Sequence, residues 1–477
     1  MEHNTSLQPH VVIMPSPGMG HLIPVSEFAK HLVLDHGFSA TLIIANQTNS
    51  PFKAVKQALE LNSLPNSINT IFLPPVDISD LPSGSEIEAQ MSAIVTRSLP
   101  ALAESIRAIT ASHRVVSFVC DLFSTESIAI ANKFDIDAYI FSTSTAMLLC
   151  LCYHLPKLDK TYSCEFRDVP EMIQIPGCVP IWGIDLIKPL RDRKTGTYAR
   201  MIHYWKKLSL GKGIFINSFE EIEHGAIEAL NGKQWDNPPV YPIGPLIRTT
   251  GVHNDGSDES GCLKWLDNQS PGSVLFVSFG SGGTVSGEQL TELALGLEMS
   301  EQKFLWFFKC PTPSGKAANA SYLSAQNTVD PSGVLPKGFL DRTQNSGLVV
   351  SSWAPQIQIL EHGSTGGFLT HCGWNSTLES IMHGVPLIAF PLFAEQTMNA
   401  VMLTDDMKVA RRPKPLKNGI IERDEICKVV KELMEGEEGK RLRSKMGELK
   451  CAATSTLAEA GSSAITFAEA VKAWKNY

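Results

Sequence analysis

Short apolar runs alternate along this chain with segments whose apolar positions recur every three to four residues. This is the pattern of buried parallel strands joined by amphipathic crossover helices. Residues 10–15 predict a strand, Ser16-Pro17-Gly18-Met19-Gly20 a turn, and 22–34 a helix with Phe28, Leu32 and Leu34 among its apolar positions. A second strand follows at 39–45, so the chain opens as a βαβ unit whose crossover should be right-handed. Further strands are predicted at 70–73, 116–120, 138–141 and 213–217, with helices between most of them. The apolar stretch 145–153 is too short to span a bilayer and reads as a buried helix.

The pattern breaks at 242–261, PIGPLIRTTGVHNDGSDESG, where Pro, Gly, Ser and Asp replace the apolar periodicity. A second α/β series then starts with a strand at 273–279, a small-residue loop at 280–284, a helix at 287–297 and a strand at 304–309. The Ser/Ala/Asn-rich stretch 311–334 predicts a surface loop. Beyond it come strands at 348–352 and 366–370, a helix ended by Gly384, and helices at 397–405, 424–450 and 463–474. The expected division is therefore an N-terminal α/β domain over 1–245, a linker over 246–261, a second α/β domain over 262–455, and a last helix within 456–477 packing back on the first domain. A length of 477 residues supports two cores over one. The pattern leaves their mutual orientation open.

Composition narrows the class. Hydrophobic residues make up 43% and charged residues 19%, as in an ordinary globular protein. A net charge of −8 with no dense Lys/Arg run argues against a nucleic-acid surface, so any acidic ligand must be met by local donors. The polar start MEHNTSLQPH runs straight into a strand and does not read as a signal peptide. Ten cysteines without C-x-x-C spacing predict reduced thiols, and hence a cytoplasmic protein without structural zinc. The chain is expected to be monomeric.

Candidate chemistry concentrates between Trp353 and Gln396, WAPQIQILEHGSTGGFLTHCGWNSTLESIMHGVPLIAFPLFAEQ. A strand, a small-residue turn and a helix start make an anion site, because the first N–H groups of a helix have no intrahelical partner. Glu379, four residues after Asn375, shares a face with that helix start and could accept both hydroxyls of a ribose. In the first half, His21 ends the loop after the first predicted strand and Asp121 ends another, both at one sheet edge. There a carboxylate could orient an imidazole acting as general base. The single D-x-D match, Asp135-Ile136-Asp137, falls in a helix-to-strand turn and reads as turn chemistry; no metal is expected.

With W-A-P-Q at its start, H-C-G-W-N-S at its centre and E-Q at its end, the 353–396 stretch closely resembles the donor-binding signature of the plant UDP-glycosyltransferases of secondary metabolism. The resemblance implies a GT-B fold, two facing Rossmann-like domains with a cleft between them. It implies that Trp353 stacks on uracil, Ala354 makes backbone contacts and Gln356 and Glu379 meet the ribose. His371, Asn375, Ser376 and the loop of Ser281 would meet the diphosphate, while Trp374, Glu395 and Gln396 would meet the sugar. A Gln at the last position goes with glucose, which points to UDP-glucose as co-substrate with no further cofactor.

The family's His and Asp match His21, in P-G-M-G-H, and Asp121, in C-D-L-F. The implied reaction is a single inverting displacement giving a β-glucoside. LPPVD at 73–77, HLPKLD at 154–159 and IPGCVP at 175–180 extend the likeness to the hydroquinone glucosyltransferase subgroup, implying a small phenol, with indoxyl as a related acceptor. Phe123, Glu86, Met147 and Phe393, with Ile87, Leu148 and Ile184, are candidates for the acceptor wall. N-glucosylation of anilines, or a catalytically silent UDP-sugar-binding protein, are the alternatives. An NAD-dependent oxidoreductase lacks its G-x-G-x-x-G after the first strand, and a serine hydrolase its G-x-S-x-G.

Overall fold

The structure is a computed structural model that describes residues 8–48, 55–56, 59, 64–82, 85–248, 260–311, 330–351 and 354–475. Most of the expected linker, most of the 311–334 loop, and Trp353 lie outside the described residues. Two compact units divide the chain. The first holds Met1–Pro180, Pro189–Arg248 and Ser455–Tyr477; the second holds Ile181–Lys188 and Thr249–Thr454.

The first unit is built on a parallel seven-stranded sheet: β1 Pro9–Met14, β2 Ser39–Ile44, β3 Ile68–Phe72, β4 Arg114–Asp121, β5 Ala138–Ser142, β6 Ile214–Ile216 and β7 Val240–Pro242. Its order is β3-β2-β1-β4-β5-β6-β7. The order reverses between β1 and β4, whose register pairs Ile13 with Val119 and Met14 with Cys120. A crevice at that switch point is where open α/β sheets take ligands. Strand β1 reads PHVVIM because both of its faces are covered; it is buried from His10 onward.

The helix after β1 runs over Met19–Leu34, starting earlier than the periodicity suggests. Gly18 precedes it at φ 123°, a backbone angle open to glycine, and this lets the helix begin directly off the strand. At the other end of the chain, the helix Ser462–Lys475 inserts Phe467, Val471 and Trp474 into the first core. Phe467 stacks on Phe28 at 5.4 Å, Trp474 meets Tyr139 at 4.9 Å, and Ser463 Oγ donates to the Gly244 carbonyl at 2.6 Å. Each aromatic buried in this way contributes roughly 1.5–3 kcal/mol, so the first core depends on the last residues of the chain.

The second unit repeats the plan with six parallel strands: β8 Val274–Ser278, β9 Lys303–Phe307, β10 Gly347–Val350, β11 Thr365–Thr370, β12 Leu387–Ala389 and β13 Ala410–Arg411. Their order is β10-β9-β8-β11-β12-β13, so a second switch point lies between β8 and β11, with Ser278 opposite Thr370. The charged segment 424–450 is two helices, Arg423–Met434 and Glu437–Leu457. The chain turns at Gly436, where a Cβ would stand 2.6 Å from the Glu432 carbonyl. The helix expected at 397–405 is α-helical over Gln396–Val401 and widens into a π-helical turn over Met402–Asp406.

No helix among the described residues is long and apolar enough to cross a membrane. All ten cysteines are free thiols.

Candidate active site

At the first switch point the structure brings His21 and Asp121 together across a hundred residues of sequence. His21 sits in the first turn of its helix, its N–H bonded to the Gly18 carbonyl, and Asp121 is the last residue of β4. His21 Nδ1 lies 2.9 Å from Asp121 Oδ2 and 3.1 Å from Thr143 Oγ1, just beyond β5. With the Nδ1 proton donated to the carboxylate, a neutral ring carries its lone pair on Nε2, the state required of a base.

The other carboxylate oxygen is also held. Asp121 Oδ1 accepts from Ser16 Oγ at 2.6 Å and from the Phe123 N–H at 3.4 Å, and Ser16 Oγ lies 3.2 Å from Ser124 Oγ. His21 is 9% exposed and Asp121 1%, so the pair is sheltered while the imidazole keeps some access. The ring of Phe123 stands edge-on to His21 at 5.7 Å. Glu86 occupies the position before the helix Ile87–Thr110, and Met147 is 2% exposed in the helix Ala146–Thr161. That second helix is fixed by the buried Glu223, whose oxygens accept the N–H groups of Ala146 and Met147, each at 2.9 Å.

The second switch point is held differently. After β11 the chain turns through His371, Cys372 and Gly373 into the helix Trp374–His383, which ends at Gly384 with φ 77°. Cys372 adopts φ 63°, unusual for a residue with a side chain, and its carbonyl is held by Asn399 Nδ2 at 2.9 Å. The His371 ring is clamped between two glycines. A Cβ on Gly280 would stand 2.7 Å from the ring, and one on Gly373 would be closer than any real Cβ contact. Burial, assisted by the nearby Lys309, pushes the His371 pKa down to about 4. Of the two roles open to this histidine, cation or hydrogen-bonding group, the second is the one its surroundings favour at neutral pH.

Gln356, Ser376 and Glu379 form a mesh beside that turn. Gln356 Nε2 donates to Ser376 Oγ at 3.0 Å and to Glu379 Oε2 at 2.5 Å, while Ser278 Oγ reaches Gln356 Oε1 at 3.5 Å. Ala354, Asn375 and the buried Trp374 lie on the same elements, and Ser281 is exposed in the loop after β8.

Glu395 precedes the helix Gln396–Val401, and the Gln396 Oε1 accepts the N–H groups of Leu392 and Phe393 at 2.9 and 3.0 Å. Half of the Gln396 amide is thus spent on shaping its own turn, leaving the NH2 end for donation. Phe393 is half-buried in that turn. Ile184, in Ile181–Lys188 of the second unit, is 55% exposed. That segment is tied down by Thr397 Oγ1 on the Asp185 carbonyl at 2.8 Å and by Arg412 on the Asp185 carboxylate at 2.7 Å.

Ser16, Thr143, Glu223, Asn399 and Lys309 escaped the sequence reading. Ser16 and Thr143 could have been found by asking which polar residues follow β1 and β5 at the edge that carries Asp121. Glu223 and Asn399 carry no such local signal, because the backbone groups of Ala146, Met147 and Cys372 that they hold are distant in sequence. Asp135, at φ 55°, lies in the turn before β5.

The sequence pattern of the family described as UDP-glucoronosyl and UDP-glucosyl transferase matches residues 216–444. Hydroquinone glucosyltransferase of Rauvolfia serpentina is 52% identical, over 100% of this chain and 99% of that protein. A UDP-glucosyltransferase from Polygonum tinctorium capable of glucosylating indoxyl, solved with 3,4-dichloroaniline, superposes with a TM-score of 0.89. It is 49% identical and covers 99% of this chain and 100% of its own. UGT2 of Phytolacca americana, solved with UDP-2fluoro-glucose and pterostilbene, gives a TM-score of 0.87 at 47% identity, covering 98% of this chain and 100% of its own. Two parallel Rossmann-like sheets, a donor signature on the second and full-length likeness to these enzymes lead to one conclusion: the chain belongs to the UDP-glucoronosyl and UDP-glucosyl transferase family, with the GT-B fold.

Proposed function

We propose that this enzyme transfers glucose from UDP-glucose to the hydroxyl of a small phenol, with inversion to the β-glucoside. The observation that carries the mechanism is the bond from His21 Nδ1 to Asp121 Oδ2 at 2.9 Å, at the sheet edge where ligands of such folds bind. His21 Nε2 takes the phenolic proton and Asp121 stabilises the imidazolium that results. The phenolate attacks the anomeric carbon opposite the departing UDP, so one displacement inverts the configuration and no enzyme nucleophile is needed.

The donor assignment follows the family signature. Uracil stacks on Trp353, Ala354 makes backbone contacts, Gln356 and Glu379 hold the ribose, and His371, Asn375, Ser376 and Ser281 hold the diphosphate. Trp374, Glu395 and the NH2 end of Gln396 read the sugar. Phe123, Glu86, Met147 and Phe393 are proposed for the acceptor, with apolar surface suited to a flat ring.

In the decisive experiment, His21→Ala should lower kcat for a simple phenol by about a thousandfold while UDP still binds in calorimetry. An unchanged kcat removes His21 from the mechanism, and an α-linked product by NMR removes inversion. A second activity, N-glucosylation of anilines, is favoured by the 3,4-dichloroaniline bound to the Polygonum tinctorium relative. A screen of phenols, indoxyl and chloroanilines against UDP-glucose and UDP-galactose ranks the two and tests the sugar assignment.

A further inference from the structure

Lys309 lies just past the end of β9, next to β8 in the second sheet, and the established signature gives it no part. Its ammonium donates to the carbonyl of Ser281, in the Gly280–Thr284 loop, and stands 5.7 Å from the ring centre of Phe307. It is close enough to His371 for its charge to depress the titration of that imidazole. Gly280 of the same loop touches the other side of the matter: a Cβ there would stand 2.7 Å from His371. Lys309, the loop after β8 and the turn after β11 therefore converge on the second switch point. Among the described residues Lys309 has no carboxylate partner.

A half-buried ammonium whose partners among the described residues are a carbonyl and a ring face is costly unless something anionic completes it. Burial pushes the Lys309 pKa down to about 8, the expected response of an ammonium in that condition. The helix start at Trp374 offers N–H groups, and His371 a hydrogen bond, but neither carries a full charge at neutral pH. The place where an anion is read into this fold is also the place where a lysine stands with no carboxylate among the described residues to neutralise it.

We propose that Lys309 contacts the diphosphate of the nucleotide sugar and supplies positive charge to the departing UDP. The inference rests on the UDP-sugar reading of the site. As the bond between the anomeric carbon and the β-phosphate oxygen breaks, its electron pair stays on that oxygen. UDP leaves with one more negative charge, and Lys309 remains an ammonium throughout. Electrostatic stabilisation of this kind matters most where charge develops.

The test compares uridine, UMP and UDP binding to the wild-type enzyme, Lys309→Met and Lys309→Arg by calorimetry. Lys309→Met should weaken UDP about tenfold or more, as loss of a charge-assisted contact does, and leave uridine within about twofold. Lys309→Arg should recover most of the UDP affinity. An independent measurement uses the wild type alone. From about pH 7 to about pH 9.5 UDP affinity should fall as the ammonium deprotonates, and Lys309→Met should lose that slope. Equal losses for uridine and UDP, unchanged UDP binding by Lys309→Met, or a flat wild-type profile each overturn the role of Lys309. If the wild type itself binds no UDP, the underlying UDP-sugar reading falls first.

Discussion

The two units carry the same kind of sheet and place their candidate chemistry at the same kind of switch point, yet they hold it by opposite means. In the first unit His21 is fixed by side chains that arrive from separate strand ends: Asp121 from β4, Thr143 from beyond β5, and Ser16 behind the carboxylate. In the second unit His371 is fixed largely by backbone, between two glycines and beside a cysteine at φ 63° whose carbonyl is pinned by Asn399. A proton-transfer group needs a partner that fixes its tautomer and stabilises the imidazolium, and a carboxylate side chain does both. A group that faces phosphates needs close approach and N–H donors, which backbone supplies. The first site should therefore fail when atoms are removed, and the second when atoms are added.

After the loss of the imidazole itself in His21→Ala, the largest effect is expected for Asp121→Asn. The geometry survives, but the amide favours the wrong imidazole tautomer, so kcat should drop by about a hundredfold or more with UDP affinity intact. Steady-state kinetics beside UDP calorimetry check this, and a kcat within about threefold of wild type would end the idea of a tuned pair.

Next comes Gly373→Ala. The residue sits at φ −62°, where alanine is at ease, so any damage comes from the methyl group meeting the His371 ring. KM for UDP-glucose should rise about tenfold and Tm should fall. Adding His371→Ala should restore Tm, because the clash then has no second party. If the double variant melts lower than Gly373→Ala, the clamp is not what the glycine provides.

The smallest effect belongs to Ser16→Ala. It deprives Asp121 Oδ1 of its 2.6 Å donor while leaving the contact with His21, and should cost about threefold in kcat. A loss as large as that of Asp121→Asn would mean that Ser16 acts on the substrate directly.

The same contrast explains what could be read from the chain before folding. The turn after β11 is contiguous, so strand, turn, helix start and Glu379 could be assembled from adjacent letters, and the helix does end at Gly384. His21 and Asp121 were legible because one ends the glycine turn after an apolar run and the other closes an apolar run itself. Their meeting depended on β4 pairing with β1, which no local pattern states. Gln356 was placed by the signature, but its bridge to Ser376 and Glu379 needed coordinates. Strands β7, β12 and β13 are only two or three residues long and escape the pattern, whereas the equally short β6 is marked by the apolar run at 214–216. Gln396 was read as a reader of sugar, whereas the capture of its Oε1 by the N–H groups of Leu392 and Phe393 belongs to the turn conformation and leaves no trace in composition.

The division of the chain has a consequence for anyone who would recombine such enzymes. Ile181–Lys188 belongs to the second unit through Asp185, and Ser455–Tyr477 to the first through Phe467 and Trp474. A chimera that joins the first half of one relative to the second half of another at residues 249–259 therefore imports two foreign inserts. Modularity in this enzyme follows spatial neighbourhood and not the order of the gene, and a working hybrid has to move each of these segments with the unit that it completes.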